Sequence, residues 1–263
     1  MPPLLSRLRQ ALADAAGAWI FYSVLPAWPG VAPRFERIAR FAPLVGVVLG
    51  GLQGLIWWLM AGWLPAEAGA LLVLALGLWL SGGLHADGAM DTADGLAAGD
   101  RALEAMDDSR VGAAGVQAFV QLLLLKLAGL LALAGLGPVG VAAALVWSCW
   151  AARIAPLLAM QGFAYLREGG TAGFHRAHRR GLAHELLPAV LILPLLVVGL
   201  LRCWPAGSTA LAAGGLALLP VLLVPRWIGR RLGGQSGDTY GACVEWCEAL
   251  ALLVMGLVAR AAT

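Results

Sequence analysis

Charge is what this chain lacks most: Asp, Glu, Lys and Arg make up 13% of its 263 residues, against about 25% in an ordinary soluble domain. That leaves too little polar surface to cover a water-facing globule, while hydrophobic residues reach 60% and mean hydropathy is +0.82. Cysteine is scarce as well. Cys149, Cys203, Cys243 and Cys247 form no C-x-x-C pair and no zinc-ligand spacing, so a disulfide framework is not expected, and Cys243 and Cys247 are read as small buried helix residues. A secretory leader is not expected either, because Asp14 interrupts the apolar stretch after Arg7 and Arg9 and no small-x-small site follows. No linker, low-complexity tract or clear repeat divides the chain, which favours one integral-membrane domain over residues 1–263.

What the chain has is long apolar blocks, at about 41–63, 69–84, 111–136, 139–163, 186–203, 209–228 and 244–258. Each approaches the roughly 20 residues a helix needs to cross a bilayer. The second is short. A soluble core would show one-sided periodicity instead. The expectation is an all-α polytopic membrane protein of about seven transmembrane helices, with glycine and alanine serving close helix approach in lipid. Basic residues orient it. If the N-terminus is cytosolic, only Arg202 and Arg260 fall outside and Lys126 and Arg153 lie within blocks; all other arginines face the cytosol, as the positive-inside rule asks. In the first 22 residues Leu5, Leu8, Leu12 and Trp19 fall near one helical face, with Arg7, Arg9 and Asp14 away from it. This predicts an amphipathic helix on the cytosolic interface.

The acids are concentrated. Asp87, Asp91, Asp94, Asp100, Glu104, Asp107 and Asp108 all fall between residues 85 and 110. On a helix, the four- and three-residue spacings of Asp87, Asp91 and Asp94 put their carboxylates along one face. Like charges there repel, and a divalent cation removes the conflict. Mg²⁺ takes oxygen ligands from carboxylates, water and phosphate, so the strip reads as a metal-dependent phosphoryl-transfer site; a solvated acidic loop is the plainer alternative. EF-hand spacing does not fit. Asp108 can complete the metal set and Arg110 can hold a phosphate in a bidentate pair, or the two can cap and anchor the next helix.

A second polar cluster, GGQSGDTYGACVE at 233–245, faces the same side under this topology. Gly233, Gly234 and Gly237 free backbone amides for a phosphate beside Asp238. Glu245 and Glu248 then enter a membrane helix, where carboxylates are functional candidates by default, although Glu248 can snorkel to the interface. The basic stretch 167–180, REGGTAGFHRAHRR, suits a polyanionic substrate, but its arginines are explained more simply by the inside rule; His175 and His178 lack further ligands for a metal. Arg153, inside an apolar block, needs an anion: a carboxylate or a substrate phosphate.

At these segments the chain resembles a known family. GGLHADGAMDTADGL at 82–96 resembles the GGxHxDGxxDTxDG signature of cobalamin synthases, the adenosylcobinamide-GDP ribazoletransferases. MDDSRVG at 106–112 resembles their MxDSRxG segment, and 233–245 their GGxxGDxxGAxxE segment. Three matches in order are far more specific than any one. The resemblance implies transfer of the cobinamide-phosphate moiety of adenosylcobinamide-GDP to α-ribazole or its 5′-phosphate, giving adenosylcobalamin or its phosphate and GMP, a late step of cobalamin biosynthesis. It implies Mg²⁺ as cofactor, held by Asp87, Asp91, Asp94, Asp108 and Asp238. Asp87 and Asp91 are equal candidates for the base, and His85, Arg110, Arg153, Gly237, Thr239 and Glu245 are the candidate substrate contacts. Large substrates suggest an open cytosolic cavity on the inner membrane. No nucleic-acid polymer is implied; a homo-oligomer and association with other cobalamin-assembly enzymes are compatible with the reading.

Two rivals differ in detail. CDP-alcohol phosphotransferases carry D-x2-D-G-x2-A-R; Asp91, Asp94, Gly95 and Ala98 match, but Gly99 stands where the arginine belongs and the downstream aspartates are out of register. A cation transporter would place its charges near the midplane on repeated, broken helices; here the acids collect at one edge.

Overall fold

The computed structural model describes residues 3–167 and 173–262, and is all-helical, with two isolated bridges and no strand among those residues. In chain order the helices are α1 (Pro3–Tyr22), α2 (Ala42–Met60), α3 (Ala66–Leu80), α4 (Leu84–Ala98), α5 (Ala102–Asp107), α6 (Ala113–Leu133) and α7 (Gly137–Ala152). They continue with α8 (Ala155–Gly162), α9 (Gly173–Ala177), α10 (Leu182–Cys203), α11 (Gly207–Leu216), α12 (Leu219–Leu232) and α13 (Gly237–Ala261).

Five helical runs are long and apolar enough to cross a membrane: Ile38–Met60, Ala113–Gly162, Leu182–Cys203, Gly207–Leu232 and Gly237–Ala261. A sixth is added if α3 and the α4–α5 segment, bent by 89°, form one broken span. The chain is therefore a multi-pass membrane protein, but the expected seven is not reached on this measure. Two of the seven apolar blocks share the run Ala113–Gly162, which divides at Gly137 (φ 76°). The block at 69–84 yields a helix of 15 residues, roughly 22 Å long where the hydrocarbon core is about 30 Å.

The helix α13 is the hub of the bundle, packed against α6, α4 and α7. Small residues set the spacing between helices, as expected. Gly46, Gly50 and Gly54 recur every four residues on α2, and a Cβ on any of them would press within 3 Å of backbone or side chain in α7. The α10 surface, by contrast, carries Val190, Leu191 and Leu195 outward, which suits lipid rather than water. On α1, Leu5, Leu8 and Leu12 are exposed and Ala16, Ala18 and Tyr22 are buried against the bundle. Asp14 departs from the expected pattern: it faces inward, with Oδ1 3.4 Å from Arg34 Nε.

Candidate active site

The acidic strip does form a helix. Two successive glycines with positive φ, Gly82 (61°) and Gly83 (73°), turn the chain between α3 and α4, a conformation that side chains with a Cβ resist. The corner swings α4 across the bundle, at 89° to α3. It crosses the first turns of α13 at two further glycines. A Cβ on Gly88 would sit 2.6 Å from the Asp238 carbonyl oxygen, and one on Gly241 would sit 3.1 Å from the carbonyl oxygen of His85. Glycines from two distant motifs thus let the backbones touch, and the contact brings Asp87 and Asp238 to the wall of one cavity.

The start of α13 is fixed by a capping box. The Thr239 hydroxyl accepts from Ser236 N–H at 2.7 Å, and Thr239 N–H donates to the Ser236 hydroxyl at 3.3 Å. Thr239, expected among the substrate contacts, is instead fully buried, its hydroxyl committed to the cap. Gly237 does line the cavity.

Four carboxylates share one electrostatic neighbourhood: Asp91 feels the charges of Asp87 and Asp238, and also that of Asp94. Asp87 and Asp91 make no hydrogen bond or ion pair among the described residues. Asp94 points elsewhere. Its two oxygens accept from Gly112 N–H at 2.7 Å and Gly115 N–H at 2.8 Å, where the start of α6 has amides without helical partners. Gly112 and Gly115 are the residues that leave room for that carboxylate. Asp108 is engaged too, in a bidentate pair with Arg110 (3.0 and 2.6 Å) whose hydrogen bonds hold its carboxyl down to about 2. The pair is exposed and Arg110 does not line the cavity.

No three His, Cys, Asp or Glu side chains among the described residues converge tightly enough to enclose a metal ion. The reason lies in those commitments of Asp94 and Asp108, and in Arg167. The Arg167 guanidinium stands 3.0 Å from Asp238 and 3.1 Å from Asp107, supplying positive charge where the acids meet. Asp87 and Asp91, whose carboxylates have no partner among the described residues, are oxygen donors of the kind Mg²⁺ takes. Asp238, which also faces Arg167, is the third acid that can join them, and Asp94 is better explained as a helix cap. Asp94→Ala is therefore expected to destabilise the protein by about 1–2 kcal/mol, the usual cost of a lost N-terminal cap, with Asp94→Asn losing less because one acceptor remains. Thermal unfolding in detergent reads this; equal loss from both would reject the cap.

The cavity has a volume of about 140 Å³, and its lining includes Asp87 and Asp238 together with Tyr22, His85, Arg153, His175 and Tyr240. This is smaller than the open cavity expected, and smaller than the roughly 300–1,000 Å³ of small-molecule sites, so it has room for only one part of a large molecule. His85 is buried against Tyr22, rings stacked at 6.0 Å, and its Nδ1 has no hydrogen bond among the described residues. Burial lowers the His175 imidazole to about 4, leaving it neutral at physiological pH.

Sequence reasoning missed three contributors. For Arg167 the inside rule is the simpler reading of the sequence, yet it forms ion pairs with Asp107 and Asp238; residues 168–172 of that basic stretch lie outside the described residues. His175 and Tyr22 reach the cavity from segments remote in sequence, and no local pattern marks them. The partnership of Lys126 with the two glutamates of α13 is the third. Glu245, expected to touch substrate, and Glu248, given a snorkelling alternative, are both buried and bonded to Lys126 (2.7 and 2.9 Å). A lysine in the middle of one apolar block and two glutamates in another were the available signal. Arg153 finds the carboxylate it was expected to need, Glu248 Oε2 at 3.2 Å.

Comparison with known proteins covers nearly the whole chain. The family model described as cobalamin-5-phosphate synthase matches residues 14–256. A Prochlorococcus marinus (strain MIT 9303) protein named adenosylcobinamide-GDP ribazoletransferase is 56% identical, over 95% of this chain and 97% of its own length. Proteins of the same name from P. marinus strain SARG and from Thermosynechococcus vestitus are 41% and 40% identical, over 94% and 90% of this chain and 96% and 93% of their own lengths. No solved structure matches the chain.

Proposed function

The chain belongs to the cobalamin-5-phosphate synthase family, and on that premise we propose that it is an adenosylcobinamide-GDP ribazoletransferase. It transfers the cobinamide-phosphate moiety of adenosylcobinamide-GDP to α-ribazole or its 5′-phosphate and releases GMP. The observation that carries this reading is the crossing of α4 and α13, which sets Asp87 and Asp238 in the lining of one cavity together with Arg153 and His85.

In the reaction, a secondary ribose hydroxyl of α-ribazole, free also in its 5′-phosphate, attacks the phosphorus attached to the corrinoid's aminopropanol arm. A new P–O bond forms, the P–O bond to GMP breaks, and the hydroxyl proton passes to a base. Asp87 is the better placed of the two candidates: it is exposed at the cavity, while Asp91 is half-buried one turn along. Asp87, Asp91 and Asp238 would hold Mg²⁺, which when bound supplies charge neutralisation for the phosphoryl oxygens. Arg153 and His85 offer donors to the phosphate-bearing end of the nucleotide, and the backbone at Gly237 opens the first turn of α13 toward the same space. Phosphoryl transfer of this kind needs positioning and charge more than covalent chemistry.

The site faces the cytosol in this reading, on the inner membrane. Its support is the meeting of the basic segments at one end of the bundle: the Arg37 guanidinium and the backbone N–H of Arg180 both donate to Glu185, and Arg167 reaches Asp107 and Asp238. That end has the charge of a cytosolic face.

Purified protein incubated with adenosylcobinamide-GDP, α-ribazole and Mg²⁺ is expected to yield cobalamin and GMP on chromatography, and chelation by EDTA to stop both. Absence of both products with the metal present, alongside turnover of a CDP-alcohol, would overturn the assignment.

A further inference from the structure

Beside the cavity lies an ionic cluster that the proposed reaction does not use. Lys126 on α6 donates to Glu245 at 2.7 Å and to Glu248 at 2.9 Å, both on α13; Arg153, at the end of α7, donates to Glu248 at 3.2 Å. All four residues are buried. Two cations and two anions cancel, so the cluster leaves no net charge in the apolar interior. A balanced buried cluster is nevertheless a weak source of stability, since apolar side chains of the same volume often do as well. Its geometry is more informative. Arg153 lines both the small polar recess shared by Gln53, Ser81, Lys126, Glu245 and Glu248 and the main cavity that holds Asp87 and Asp238. One end of its guanidinium is gripped: Nη1 donates to Glu248 and to the Cys149 carbonyl at 2.9 Å. Its Nε is buried with no hydrogen-bond partner among the described residues, as is His85 Nδ1 in the same cavity lining. Buried polar groups are ordinarily satisfied, and an arginine N–H left over at a cavity calls for an anionic acceptor.

We propose that Glu248 and Lys126 are positioning residues for Arg153. Glu248 fixes the guanidinium, Lys126 fixes Glu248, and Arg153 with His85 then receives the phosphate-bearing end of the corrinoid nucleotide. The inference rests on the phosphotransferase reading and adds to it two residues that never touch substrate.

A double-mutant cycle tests it. E248Q is expected to raise the KM for adenosylcobinamide-GDP about tenfold, the loss when one charge-assisted hydrogen bond is mis-set, and to leave the KM for α-ribazole unchanged. R153M should raise the same KM at least as far, and E248Q/R153M should be no worse than R153M alone, because residues acting through one group are not additive. K126M should follow E248Q, with K126R restoring the wild-type value. An unchanged KM in E248Q, an effect on both substrates alike, or additive losses in the double variant would overturn the proposal. Should E248Q fail to fold, the charge-balanced K126M/E245Q keeps Arg153 and Glu248 in contact; a selective rise in the corrinoid KM supports the positioning, and an unchanged KM rejects it. If the wild-type chain turns over no adenosylcobinamide-GDP, the reaction assignment fails by itself, and the cycle is then read in equilibrium binding of GDP. Weaker GDP binding by E248Q sustains the positioning role. Equal binding, or none by the wild type, ends it.

Discussion

Asp87→Asn is expected to fold like the wild-type chain and to form cobalamin about 10²–10⁴ times more slowly, the range for loss of a positioned base. The two halves of that expectation have separate causes. Asp87 is exposed and makes no hydrogen bond or ion pair among the described residues, so asparagine removes a charge without orphaning a partner, and surface substitutions of this sort usually stay within about 0.5 kcal/mol. The same carboxylate lies at the cavity, near Asp91 and Asp238, where oxygen donors for a divalent ion are needed. Mn²⁺ binding followed by electron paramagnetic resonance should weaken along with turnover. Full activity in Asp87→Asn would take Asp87 out of the site and leave Asp91 as the base. The contrast with Asp94 sharpens the test: one residue of the strip is expected to cost activity without stability, the other stability first.

That contrast also marks the limit of reading a strip of carboxylates from spacing. The three-and-four periodicity correctly placed Asp87, Asp91 and Asp94 on one helix, and the apolar blocks each landed on helices. Periodicity says which way a helix face points only relative to the helix itself. It cannot say that the last acid meets the start of α6, because that depends on Gly112 and Gly115 packing close enough for their amides to reach it. Glu245 and Thr239 have partners inside the fold that spacing could not show, for a related cause. Each sits in a motif shared with the family, yet one neutralises Lys126 from 119 positions away and the other caps its own helix. Motif membership marks a residue as constrained without separating chemistry from architecture. The crowding of acids near 85–110, the anion Arg153 required and the convergence of the 82–96 segment with Asp238 were all legible. The span count was not, since a short helix turned at a glycine pair satisfies neither the rule for a spanning helix nor that for a loop.

The glycine contact between α4 and α13 makes the second strong prediction, one independent of the reaction's chemistry. In an exposed helix interior, glycine to alanine is worth roughly 1 kcal/mol in favour of alanine. Gly51 of α2, whose Cβ would meet nothing within 4 Å, should behave that way: Gly51→Ala should be neutral or mildly stabilising. Gly88 also lies within a helix, but its Cβ would meet the Asp238 carbonyl oxygen at 2.6 Å and Cα at 3.0 Å. Those are backbone atoms, so no rotamer change relieves the overlap and the helices must part. Overpacking of that kind costs about 1–3 kcal/mol, enough to reverse the propensity gain. Parting α4 from α13 also separates Asp87 from Asp238, and a misplacement near 1 Å is worth about a hundredfold in rate. Gly88→Ala should therefore melt below wild type and lose about two orders of magnitude in turnover, with Gly51→Ala unaffected in both. Wild-type turnover and melting in Gly88→Ala would mean that the crossing is looser than its backbone contacts show, and that the acids from the two motifs need not meet for the reaction to proceed.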